Sequence, residues 1–153
     1  MSTTPDPAAV AALNALIQTC KDGEEGFRAA AAAVKTPRLA ALFSQYSRQR
    51  ALFARQLQAA VRRLRGEPQT EGSLTGALQR SWVSLKAFAA GDHNEDVIIQ
   101  ACEHAENAAL KSYEDALAAD LPRSARSTIQ AQLAEIKNVH DRIRALEGAG
   151  DVR

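Results

Sequence analysis

At 153 residues, with a net charge of +1, 46% hydrophobic and 24% charged residues, the chain is sized for one domain with a substantial core. No apolar run nears the roughly 18 residues that span a bilayer. Met1 to Asp6 has neither a basic start nor an apolar stretch of the kind that directs secretion, so no secretory signal is expected and a cytoplasmic protein is. Aromatic residues make up 5%, and the few glycines and prolines fall between periodic, alanine- and leucine-rich stretches, the composition of an all-α protein.

The elements follow in chain order. Asp6-Pro7 is a helix start, and the first helix runs to about Val34 with Leu13, Ile17, Cys20, Glu24, Phe27, Ala31 and Val34 at helical spacing. Thr36-Pro37 repeats the start signal after a tight turn. The second helix carries Leu39, Leu42, Phe43, Tyr46, Phe53, Leu57 and Leu64 inward, and Gly66 and Pro68 end it. Between Tyr46 and Phe53 its stripe passes through Gln49 or Arg50. A polar loop, Glu67 to Ser73, leads to a short amphipathic helix, Leu74 to Ala90, bearing Leu78, Trp82 and Leu85, which Gly91-Asp92-His93-Asn94 breaks. The third long helix, about Glu95 to Ala119, shows Ile99, Cys102, Glu106, Leu110, Tyr113 and Leu117. The last starts at Asp120-Leu121-Pro122, shows Ile129, Leu133, Ile136, His140, Ile143 and Leu146, and ends near Gly148.

Helices of about 25 residues are roughly 37 Å long. Two tight helical hairpins joined by a long crossover with its own short helix give an up-down-down-up, ferritin-like four-helix bundle. Residues 7–147 form its single domain, and 1–6 and 148–153 are tails.

Glu24, Gln49 or Arg50, Glu106 and His140 each stand where an apolar residue belongs, and Glu103, within one turn of Glu106, is the alternative inward acid of its helix. Buried charge is costly unless it is paired or bound to metal, so intruders on all four helices point to one shared polar layer. The charge is also uneven along the chain. Pro37 to Gly66 holds seven arginines and no acid, whereas Asp92 to Asp120 holds eight acids against Lys111, a net −7. The basic helix lacks the interleaved aromatics of a nucleic-acid platform, so no nucleic-acid partner is expected. Cys20 and Cys102 lie on apolar stripes and read as buried free thiols.

The run Leu13 to Phe27, with Tyr46-Ser47-Arg48-Gln49-Arg50, Cys102-Glu103-His104-Ala105-Glu106 and Lys137-Asn138-Val139-His140-Asp141-Arg142, resembles a bacterial domain-of-unknown-function family of ferritin-like four-helix bundles. More distantly the chain resembles rubrerythrins and other carboxylate di-iron proteins, whose second and fourth helices each supply Glu-x-x-His. Against that pattern Glu24, Glu103, Glu106 and His140 match. Arg50 and Phe53 stand in place of the second helix's Glu and His, and Lys137 in place of the fourth helix's Glu. The resemblance thus implies a degenerate di-iron site, with no oxidase or peroxidase chemistry and a structural, interaction or stress-associated role.

The expected site is a buried polar network of Glu24, Tyr46, Arg50, Glu103, Glu106, Tyr113, Lys137 and His140, with no cofactor. The alternative is a single iron or zinc ion held by Glu24, Glu103, Glu106 and His140, in a protein of weak redox or storage function. A homodimer or higher homo-oligomer is expected from the bipolar surface and from Trp82 and Phe88 on the crossover.

Overall fold

A computed structural model describes residues 6–72 and 95–150 of the chain. Among the described residues there are four α-helices and no strand: α1 (Pro7–Ala33), α2 (Pro37–Arg63), α3 (Glu95–Leu117) and α4 (Arg123–Gly150). The expected crossover helix over 74–90, with Trp82 and Phe88, and the break at 91–94 lie outside the described residues. α4 continues to Gly150 instead of ending near Gly148.

The turns fix how the helices enter and leave the bundle. The Asp6 carboxylate accepts from the Ala9 amide at 3.2 Å and Pro7 opens α1, which satisfies one orphan donor of the first turn. Thr36 occupies the corresponding position before α2, but its hydroxyl does not cap the helix. It donates instead to Glu95 at 2.7 Å. α2 ends in a Schellman turn: the Gly66 amide donates to Val61 O at 3.0 Å and the Arg65 amide to Arg62 O at 2.9 Å. The residue that takes the left-handed conformation is Arg65 (φ 63°), not the glycine. Gly66 is needed for space, since a Cβ there would lie 2.7 Å from Val10 Cγ2. Arg126 closes the other hairpin by donating to Leu117 O and Ala119 O at 3.0 and 2.9 Å.

α1 packs against α2 and α3, and α4 against α3 and α2, so α1 faces α4, and α2 faces α3, across the diagonals. Lys35 and Thr36, beyond the end of α1, meet Glu95 at the start of α3, while Cys20 in α1 meets Tyr113 near the end of α3. α1 and α3 are therefore antiparallel, and α2 and α3 run in the same direction. Beyond α2 the chain doubles back along α1. Asn14 donates to Glu67 O and accepts from the Gln69 amide, and Gly72 sits against the Asp22 carboxylate, two turns further on.

The core is split into two apolar halves. One joins Leu13, Ile17 and Cys20 to Phe53, Leu57, Tyr113, Ile129 and Ile136. The other joins Phe27 and Ala30 to Phe43, Tyr46, Ile99, Cys102, Val139 and Ile143. Each fully buried Leu, Ile or Phe contributes about 1.5–3 kcal/mol by leaving water. On every helix the break falls at one level: between 20 and 27, 46 and 53, 105 and 113, and 136 and 139.

Glu95 ties the two hairpins together at one end, since its carboxylate accepts from the Lys35 amide (2.6 Å), the Thr36 amide (2.8 Å) and the Thr36 hydroxyl. Glu95→Ala is expected to lower unfolding free energy by about 2 kcal/mol through loss of these charge-assisted bonds. Urea denaturation measures the loss, and amide exchange at Lys35 and Thr36 should speed up with it.

Candidate functional site: the buried polar layer

The level at which the core divides is filled by charge. Arg50, 1% exposed, and Glu106, fully buried, face each other across the α2–α3 diagonal. Nη1 and Nη2 of the guanidinium donate to the two carboxylate oxygens, each at 2.6 Å. This is the two-pronged pairing that a planar guanidinium makes best. Burial alone would pull the Arg50 pKa down, but the Glu106 carboxylate outweighs it and the net shift is upward. The ring of Phe27 lies 5.2 Å from the guanidinium carbon, a cation–π contact. Gly23 makes the room: a Cβ there would sit 3.2 Å from Arg50 Cγ and 3.3 Å from Nη1.

A second layer lies just below and runs through all four helices. The Tyr113 hydroxyl (α3) donates to Gln132 Oε1 (α4) at 2.7 Å. With its only proton committed, it accepts from the Cys20 thiol (α1) at 3.1 Å. Gln132 Nε2 then donates to Gln56 Oε1 and Phe53 O, both on α2, at 2.9 and 3.3 Å. Burial pushes the Cys20 thiol up to about 11, against the opposing pull of Tyr113 and Arg50. Burial likewise raises Tyr113 well above its ordinary range, and Cys102 too. Neither cysteine is disulfide-bonded, and buried thiols held in the neutral form are poor nucleophiles.

The structure unites only part of the expected network. Arg50 and Glu106 meet directly, and Tyr113 lies in the adjoining layer. Glu24 does not join them. Its side chain points to the rim of α1, where Lys21 and Arg28 hold it at 3.0 and 3.2 Å, and its backbone oxygen accepts from the Ser47 hydroxyl. The inward position at this level is Gly23, one residue earlier. Lys137 is exposed on the outer face of α4. Tyr46 is buried, and its hydroxyl has no hydrogen-bond partner among the described residues. His140 presents Nδ1 to Asp141 at 3.6 Å and buries an unpartnered Nε2. Glu103 lies beside Glu147 of α4, and the two carboxyls influence each other.

The donor set for a single ion, Glu24, Glu103, Glu106 and His140, therefore does not converge. Among the described residues no three histidine, cysteine, aspartate or glutamate side chains are placed to hold a metal. The residue missed from sequence is Gln132, 2% exposed. Its spacing of three from Ile129 and four from Ile136 puts it on the inner face, and that signal was available.

Two outcomes follow from this geometry. Arg50→Ala leaves the Glu106 carboxylate buried without a counter-charge and is expected to cost about 3–5 kcal/mol, whereas the paired replacement Arg50→Met with Glu106→Leu recovers most of it. Chemical denaturation of the three proteins checks both. The second concerns Glu147, whose carboxyl is raised to about 7 by partial burial, then by the neighbouring Glu103 carboxyl. Its folded form holds a proton that the unfolded chain releases near 4.5. Its contribution is complete below that pH and is lost as pH rises through 7. Thermal melts from pH 4.5 to 8 should show this decline, and Glu147→Gln should flatten it.

The comparisons with known proteins bear on α1 to α3 more than on α4. No curated protein matches the chain. Among the described residues no helix is long and apolar enough to cross a membrane. The family described as Domain of unknown function (DUF2383) matches residues 8–119, a span that contains Gly23, Arg50, Glu106 and Tyr113 and stops short of Gln132 and the Lys137–Arg142 run. That match takes in most of the chain, and the protein belongs to the DUF2383 family.

Proposed function

We propose that this protein is a ferritin-like bundle in which an arginine–glutamate pair stands where relatives of that fold hold a di-iron centre, and that it works as a structural or interaction protein. The observation that carries the reading is the two-pronged Arg50–Glu106 contact. Both oxygens of the central acid are engaged by one guanidinium, so neither is available to a cation. A second positive charge placed beside Arg50 in a low-dielectric layer would be strongly repelled. The helix order supports the fold reading, because α2 and α3 run in the same direction at diagonal corners. The residues do not fit a di-iron group.

Two buried free thiols suit a reducing, cytoplasmic setting. α2 carries six arginines and no acid, while α3 carries six acids against Lys111. These opposite poles support self-association through complementary faces.

The test is elemental analysis of protein purified without a metal-binding tag, paired with thermal melts in the presence and absence of iron and zinc. Metal well below one equivalent per chain, with melting points that ignore both ions, is the expected result. About one equivalent, with a melting point that rises on addition, would overturn the reading.

A further inference from the structure

Among the described residues the seam between α2 and α4 is the least closed: these two helices touch over a much shorter stretch than α1 and α2 do. Toward the end where α2 begins, the seam widens into a cavity of about 600 Å³. Leu39, Leu42, Ile99 and Leu146 line it, with Arg38 and Arg142 among its walls. That volume lies within the range of small-molecule sites, and the lining has their usual character, mostly apolar with a few placed polar groups. Further along the seam the lining turns polar, with Gln56, Arg63, Ser127 and Thr128 around a second, smaller cavity.

The charges select the occupant. Neither Arg38 nor Arg142 is in an ion pair among the described residues. Arg38 and Arg142 put positive charge on both walls of the groove, so a second copy docking this face against itself would oppose like charge to like charge, and docking of its acidic α3 here is the dimer outcome of the test below. On α2 the lining runs from Thr36 to Gln45, but its apolar members Leu39, Ala41 and Leu42 fall within about one turn, and on α4 it spans scarcely more than one turn, Arg142 to Leu146. A docked helix needs apolar anchors sustained over several turns, and the polar character of the lower seam denies them. A short apolar tail bearing one carboxylate matches what is present.

We infer that the Leu39–Leu42–Ile99–Leu146 groove binds an amphipathic carboxylate of the fatty-acid class, its chain against the leucines and its head group on Arg38 or Arg142. The site is separate from the Arg50–Glu106 layer, and the inference goes beyond the proposed function without resting on it. Guanidinium pairing with a carboxylate supplies the preference for an anion, and the apolar lining supplies the preference for a chain.

Isothermal titration of the full chain with decanoate below its micellar concentration, alongside decan-1-ol, tests it. Saturable binding of one decanoate per chain is expected. The double variant Arg38→Gln with Arg142→Gln should weaken decanoate by about tenfold or more while leaving decanol unchanged. Leu42→Glu should abolish binding of both, with circular dichroism confirming that each variant is folded. No saturable decanoate binding, or binding that both variants leave intact, would overturn the inference. So would a wild-type dimer that Leu42→Glu dissociates, or a protein that ignores decanoate and saturates with an acidic amphipathic peptide.

Discussion

An arginine and a glutamate that both lose water on folding must find each other, because either one alone would cost several kcal/mol in a dry interior. Arg50 and Glu106 come from diagonal helices, whose backbones do not approach each other closely. Their contact can form only if α2 and α3 are at the right depth and rotation, and α1 and α4 must then fill the two remaining corners. Gly23 is tied to the same constraint. A side chain there would press on the guanidinium, so α1 gives up a good helix-forming position to let a long cation cross the core. Phe27, one turn later, offers its ring to the guanidinium and its edge to Tyr46. A well-packed apolar layer could be equally stable, so the pair's distinctive contribution is to register: an apolar core tolerates a slip of one turn, and a two-pronged ion pair does not.

The hydrogen-bond layer beneath enforces the same register with neutral groups. Tyr113, Gln132 and Cys20 would each be expensive to bury unsatisfied. Together they form a chain in which every proton has one acceptor, ending on Gln56 and the Phe53 carbonyl. It also accounts for the inertness of Cys20. The thiol is both buried and committed as a donor, and its raised pKa follows from burial. Two adjoining polar layers with opposite chemistry, one charged and one neutral, separate the apolar halves of the core.

Much of this was legible in the sequence, and the limits are instructive. Proline starts and short turns placed the four long helices to within a few residues, because those signals act locally. Glu106 and Arg50 were visible as charges in apolar stripes. Glu24 looked the same and is not in the layer, since a helical stripe is wide enough to run through either of two neighbouring positions. The choice between Gly23 and Glu24 depended on what faces α1, which is the bulk of Arg50 arriving from another helix. Lys137 was drawn inward by analogy with a metal ligand and has no such role on an exposed face. Gln132 escaped because an uncharged polar residue beside Leu133 does not announce burial as a charge does. Gly66 was read as ending α2, and the structure uses its lack of a side chain against Val10 while the left-handed position falls to Arg65.

The ion pair also shapes the surface. A bundle held by one central cross-brace does not need all four of its seams equally tight. α1 and α2 lie close along their lengths, whereas α2 and α4 stay apart and leave two cavities between them. The brace runs from α2 to α3 and the neutral layer reaches α4 only through Gln132, so the seam is pinned at mid-height and open toward both ends. The core charge thus fixes the helices across one diagonal, and the α2–α4 side that the brace does not reach carries the arginines Arg38 and Arg142 beside its apolar groove.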